Sequence, residues 1–161
     1  MTIEKLKGNF ETNLTVAYSQ IYVEDRPLGS HSPEGLWNEE ELASMLCVAD
    51  GLFIIGTATS YEARIYIKIQ RDEPAIDIKD WDHINKCSIA ITSGIVVSGD
   101  FDTEGEMLGI DLPAGLYGVY ICYKGLGTIS GDKLDGDDSY HVWMWPVSDH
   151  IRKTVMKQWI G

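Results

Sequence analysis

Paired cysteines, long apolar runs and positive charge are all scarce in this chain. Its three cysteines, Cys47, Cys87 and Cys122, are odd in number, far apart and free of any Cys-x-x-Cys spacing. Neither a disulfide framework nor a zinc ligand set is expected from them, and a reducing cytoplasm suits them. No apolar run approaches the length that spans a bilayer, and the opening Met1-Thr-Ile-Glu-Lys-Leu-Lys7 is charged where a secretory signal is apolar. Export and membrane insertion are disfavoured, so the expected location is the cytoplasm. Only 13 Lys and Arg stand against 25 Asp and Glu, a formal net charge of −12. Direct repulsion makes nucleic acid and anionic lipid poor partners, and a basic protein becomes the favoured one.

What is present describes a packed domain. The chain has 161 residues, 44% of them hydrophobic and five of them Trp, which suits one domain over 1–161 with its own core. The run Ala63, Ile65, Ile67, Ile69 alternates with Glu62, Arg64, Lys68 and Gln70. That period of two belongs to a strand with one dry and one wet face, in an antiparallel context. Similar runs lie at Leu14–Val23, Val48–Ile55, Ile84–Ile91, Ile95–Val97, Met107–Asp111, Leu116–Tyr123 and Ser139–Trp145, separated by Gly, Asp, Ser and Pro clusters. The prediction is a mainly β chain, an antiparallel β-sandwich of about eight strands with two peripheral helices. Its exposed strand edges leave self-association open.

The first helix is read from Asn38 as cap and Glu41 three residues later, with Trp37 and Leu42 placed as a hydrophobic staple and Leu42, Met45, Leu46 and Ala49 as the apolar face. The second is predicted at about 148–159, where Ile151, Val155 and Trp159 recur at i, i+4 and i+8.

Acid is unevenly spread. Residues 100–138 hold Asp100, Asp102, Glu104, Glu106, Asp111, Asp132, Asp135, Asp137 and Asp138 against Lys124 and Lys133, a net −7, whereas residues 139–161 are net +2. A solubilising surface and a binding surface both fit that pattern.

The segments Leu14-Thr-Val-Ala-Tyr-Ser-Gln-Ile-Tyr-Val23, Val48-Ala-Asp-Gly51, the alternating strand to Gln70 and Asp111-Leu-Pro-Ala-Gly-Leu-Tyr117 occur in a recognisable order. Together, over residues 12–146, they resemble the competence protein J family, inhibitors of the DNA-entry nuclease. The Gly- and Asp-rich stretch 124–138 and the C-terminal helix depart from that pattern. The resemblance implies a β-sandwich that binds and blocks a nuclease or another toxin-like enzyme, as an immunity protein does. The partner-binding residues expected on this view are Asp100, Asp102, Glu104, Glu106, Asp132, Asp135, Asp137 and Asp138, which would steer association. Tyr117 and Tyr123 would supply its desolvated centre.

Catalytic apparatus is not expected. Asp80-Trp-Asp-His83 brings two carboxylates near an imidazole, but in a polar connection without GxSxG or HExxH. Gly125-Leu-Gly127-Thr-Ile-Ser-Gly131 runs into carboxylates rather than a helix, which disfavours phosphate, and the acids miss the spacing of a calcium loop. No cofactor and no metal are therefore assigned. The alternative reading is a carbohydrate- or small-ligand-binding module using His141, Trp143 and Trp145, provided those rings are exposed. A metal-dependent enzyme built on Asp80, Asp82 and His83 is the third, and it needs a further ligand.

Overall fold

A computed structural model describes residues 7–26, 37–100 and 107–161. Eleven strands lie among the described residues: β1 Gly8–Thr15, β2 Gln20–Asp25, β3 Leu46–Ala49, β4 Leu52–Gly56, β5 Glu62–Ile69, β6 His83–Ile91, β7 Gly94–Gly99, β8 Leu108–Asp111, β9 Gly115–Lys124, β10 Ser139–Pro146 and β11 Thr154–Lys157. They form a six-stranded sheet, in the order β1-β5-β10-β9-β6-β11, and a five-stranded sheet, β3-β4-β2-β7-β8. Neighbours are antiparallel except β5 and β10, which run parallel with Ser139 opposite Arg64.

The two sheets share a core because their strands alternate. Ile65, Ile67, Val119, Ile121 and Val142 from the six-stranded sheet join Ile21, Val23, Phe53, Ile55 and Val97 from the other in a single buried cluster. Truncating one of these to Ala removes both transfer energy and packing, about 2–5 kcal/mol. A second cluster lies on the outer face of the six-stranded sheet, where Ile84, Tyr120, Cys122 and Trp145 are covered by Ile76, Trp81, Val147 and Ile151. The segment that crosses this face is held by Glu73, whose carboxylate accepts from the Tyr120 hydroxyl at 2.7 Å and from Lys86 Nζ at 3.3 Å.

The eight expected runs all contain strands, but two of them hide turns. Leu14–Val23 breaks after Thr15 into β1 and β2, and Val48–Ile55 folds back at Asp50-Gly51 into β3 and β4. The first helix, α1, is confirmed at its start: over Glu39–Ser44, the Glu41 amide donates to Asn38 Oδ1 at 3.1 Å. It ends sooner than its apolar face implied, because Met45 turns left-handed (φ 57) and Leu46 enters β3.

The C-terminal helix predicted at about 148–159 is absent; Thr154–Lys157 is a strand on the edge of β6, with Thr154 opposite Lys86 and Val155 opposite Asn85. The helical spacing of Ile151, Val155 and Trp159 loses to tertiary bonding. Ser88 Oγ takes the Ile151 amide at 2.8 Å, and His83 Nδ1 accepts from the Trp159 amide at 3.0 Å. Isolated helices this short are marginal, so an open sheet edge outbids propensity. Of the described residues, no helix is long and apolar enough to cross a membrane.

Candidate functional site

Strand register gathers the acidic connections at one end of the molecule. Thr15 lies opposite Glu62, Ser139 opposite both Arg64 and Lys124, Gln20 opposite Gly56, and Ile21 opposite Gly99. The β1–β2, β4–β5 and β9–β10 connections therefore meet there, together with the end of β7 and the start of β8, which pairs through Leu108 with Val97.

Hydrogen bonds stitch these connections together. The Val16 amide donates to the Tyr61 carbonyl, Thr57 to Ser19 and Ser60 to Lys133, each at 2.8 Å. Asp100 Oδ2 accepts from the amides of Tyr18 and Gln20 at 2.6 and 3.0 Å, so this carboxylate ties β7 to the β1–β2 turn.

The β9–β10 connection is organised by its own polar side chains. Gly125 adopts φ 75, and a Cβ there would meet the Asp137 carbonyl oxygen at 2.4 Å, so only glycine lets the loop close. Thr128 Oγ1 donates to the Gly125 carbonyl at 2.7 Å and accepts the Asp137 amide at 2.8 Å. Asp132 Oδ1 accepts from the Ser130 hydroxyl at 2.6 Å and the Leu134 amide at 3.0 Å, which hold this exposed carboxyl below its ordinary pKa. Exposed Asp135 and Asp137 line a groove of about 350 Å³ together with Tyr61, Glu62 and Arg64.

The predicted site residues thus divide. Asp132, Asp135 and Asp137 are exposed on one loop, and Asp100 joins them at the same end as a half-buried tie. Asp138 is 6% exposed and accepts from the hydroxyls of Tyr140 and Thr59, so it anchors the loop and does not meet solvent. Asp102, Glu104 and Glu106 lie outside the described residues.

Tyr117 and Tyr123 are corrected. They are 1% and 0% exposed, and their hydroxyls donate to the carbonyls of Pro113 and Met45 at 2.7 and 2.6 Å. Alternation along β9 turns both inward with Val119 and Ile121. The exposed tyrosines at the acidic end are Tyr18 (77%) and Tyr61 (59%), which sequence reasoning missed because each sits in a turn rather than in an apolar pattern.

The other constellations do not assemble. His83 is fully buried, its Nε2–H donating to the Ser44 carbonyl at 2.8 Å while Nδ1 accepts from the Trp159 amide, and burial lowers its pKa; Asp82 Oδ2 accepts from the Leu126 amide at 2.9 Å, and Asp80 is exposed. Among the described residues no group of three or more His, Cys, Asp or Glu is placed to hold a metal. Burial pushes the thiols of Cys47, Cys87 and Cys122 up to about 11, 12 and 12, so they stay protonated at neutral pH.

The ring stripe on β10 is likewise engaged. Trp145 is 3% exposed and stacks on Tyr120; half-buried His141 stacks on Tyr66 at 4.6 Å, and Lys68 lies over Trp143 at 5.3 Å. Rings that cover one another in this way are not the open platform that sugar stacking requires.

No protein-family model and no curated protein sequence matches the chain. Among solved structures it is similar to ComJ, inhibitor of the DNA degrading activity of NucA, from Bacillus subtilis. That likeness covers 88% of this chain and 98% of the other, with a TM-score of 0.68 and 17% identity. A protein described as crocagin biosynthetic gene J is similar over 88% of this chain and 99% of its own, with a TM-score of 0.58 and 15% identity. The fold is therefore ComJ-like.

Proposed function

We propose that this chain is a cytoplasmic β-sandwich inhibitor that binds and blocks a cationic enzyme, a nuclease, and that it acts by occlusion rather than by chemistry of its own. The observation that carries the reading is the acidic end: Asp132, Asp135 and Asp137 lie exposed on a loop that is bonded to its neighbours, beside Glu62. A nuclease cleft is built to receive closely spaced phosphate charges, and a preorganised row of carboxylates meets the same positive field. The ComJ likeness supports this at the level of the fold, since the protein of that fold inhibits a nuclease.

Rim carboxylates act on the encounter more than on the lifetime of a complex. Lifetime comes from desolvated aromatic contacts, and exposed Tyr18 and Tyr61 stand where such contacts are needed.

The test uses a Lys/Arg-rich nuclease from the same cell, with association followed by stopped flow and DNA degradation as the functional readout. Asp132, Asp135 and Asp137 are changed together to Asn. The variant should associate about tenfold more slowly at low salt, with a flatter salt dependence. An unchanged association rate would make the acidic end a solubilising surface and end the proposal. So would a wild-type chain that leaves such nucleases fully active.

A further inference from the structure

Next to the acidic loop, the same end of the molecule carries an apolar groove of about 370 Å³ lined by Tyr18, Trp37, Leu42 and Met45, with Gly56 in its floor. It differs from the first groove in kind, because among the described residues no charged side chain lines it.

Four features show that this groove is built. Leu42 is 63% exposed and Tyr18 77%, so two large apolar side chains that ordinarily seek burial are turned outward on facing elements. The Trp37 indole is fixed by a 2.7 Å hydrogen bond from its Nε1–H to Gln20 Oε1, which leaves the ring as a rigid wall. At Gly56 a Cβ would stand 3.2 Å from Trp37 Cη2 and 3.4 Å from Met45 Cα, so the absence of a side chain there is what gives the groove its depth. Ser19 and Met45, both lining it, are two of the three non-glycine residues at positive φ among the described residues. Left-handed backbone at ordinary residues is unfavourable and persists only where surrounding structure imposes it.

The charge around the groove says what would enter it. Leu42 rides on α1, whose first turn is Glu39, Glu40 and Glu41 with no basic residue in its last turn, and Asp100 holds the Tyr18 turn from the other side. An apolar slot walled by aromatics, with the acidic first turn of α1 beside its Leu42 wall, fits an apolar side chain flanked by cations.

We infer that this groove seats a leucine- or phenylalanine-sized side chain of the partner, presented on a Lys/Arg-flanked segment, and that this contact, rather than the acidic loop, sets the lifetime of the complex. The inference rests on the reading of the protein as an inhibitor of a cationic enzyme. It adds the division of labour: carboxylates set the approach, and the groove sets the release.

The test separates the two ideas because it does not need the enzyme. Isotope-labelled full-length protein is titrated with a short peptide in which one Phe is flanked on both sides by Lys, and with a control in which every Lys is replaced by Glu. Two-dimensional amide and indole spectra are recorded. The basic peptide should shift the Trp37 indole N–H and the amides of Tyr18 and Leu42; the acidic control should not. The double substitution Tyr18→Ser with Leu42→Ser removes two exposed side chains and leaves the melting curve in place, and it should weaken the shifts at least tenfold.

Shifts confined to Asp135 and Asp137, or equal response to both peptides, would overturn the inference. Shifts that appear with protein concentration alone would assign the groove to a second copy of the chain and overturn it too. A groove that binds the basic peptide in a protein that inhibits no nuclease would keep the groove as a seat for a cation-flanked apolar side chain and overturn its role in the lifetime of an enzyme complex. Nuclease inhibition with an unresponsive groove would do the reverse.

Discussion

The acidic end and the outer face of the six-stranded sheet both collect the residues from which binding sites are made, and they treat them in opposite ways. On the outer face, Tyr66, Trp81, His141 and Trp143 lie against one another, and Lys68 and Lys124 lie over Trp143 and Trp81 at 5.3 and 5.5 Å. Each group there is the partner of the next. At the acidic end the backbone is satisfied within and between connections, while Asp135, Asp137, Tyr18 and Tyr61 are left outward. What separates an outward-facing candidate surface from a covered one is therefore where the bonding stops, not which residue types are present. Substitutions on the outer face should cost stability and spare binding; those at the acidic end should do the opposite.

The sharpest way to break this contrast is Trp145→Ala. Trp145 is 3% exposed within the outer cluster, stacked on Tyr120, with Lys86 over its ring at 5.8 Å. The truncation should lower unfolding free energy by about 3–5 kcal/mol in urea, with the partner's association rate unchanged. A small loss would mean that the outer cluster is not a core at all.

Asp138→Ala sits on the border between the two regions. Its carboxylate accepts from Tyr140 and Thr59, and Tyr140 in turn accepts the Ala58 amide at 2.7 Å. Burial, and then the Asp138 charge, raise the Tyr140 pKa well above its ordinary value, so the phenol remains a donor. Loss of its acceptor should cost about 1–3 kcal/mol, read from thermal or urea unfolding. Wild-type stability in this variant would show that the loop is held by its backbone bonds alone.

A smaller effect tests the outer face by pH. Burial, and next Lys68 and Lys124, push the His141 pKa down to about 4. The unfolded chain, with an ordinary histidine near 6.5, then binds the proton first, so stability is full above about pH 6.5 and drains away as pH falls toward 4. Discounted for partial exposure, the loss is about 1–2 kcal/mol. His141→Gln should remove that share of the pH dependence in urea titrations and leave the share due to His83, whose pKa is lowered by burial as well. At the far end of the scale, the Asp132, Asp135 and Asp137 change to Asn should move unfolding free energy by less than about 0.5 kcal/mol, as expected of exposed side chains.

Much of the fold was legible because it follows from alternation. Ala63 to Ile69 declares β5 outright, and Asn38 with Glu41 declares the start of α1, since a capping bond depends only on neighbours in sequence. Turns fixed from a distance were not legible. Ser19 holds φ 62 without being glycine, its carbonyl accepting the Thr57 amide, and nothing in Val16-Ala-Tyr-Ser announces that. The C-terminal segment misled for the same reason: Ile151 and Val155 suit a helix, but the edge of β6 is a long-range fact. The candidate site was half legible. Charge count found the loop, whereas inward and outward were confused at Tyr117 and Tyr123, although Tyr117, Val119, Ile121 and Tyr123 share one face of β9 by parity alone.

The parallel pairing of β5 with β10 has a consequence for how the molecule is made. β5 takes β1, its early neighbour, on one side, but on the other it waits for a strand that is synthesised far later and enters beside it with Ser139 opposite Arg64. Pairings between such distant stretches delay folding because the intervening chain must be closed before any contact rewards it. Until Ser139–Pro146 leaves the ribosome, the nascent six-stranded sheet lacks the strand that joins its halves, and one edge of β5 stays open. The interval between translating β5 and translating β10 is thus the period of greatest exposure to misassembly, when apolar Ile65, Ile67 and Ile69 lack the strand that will seal them.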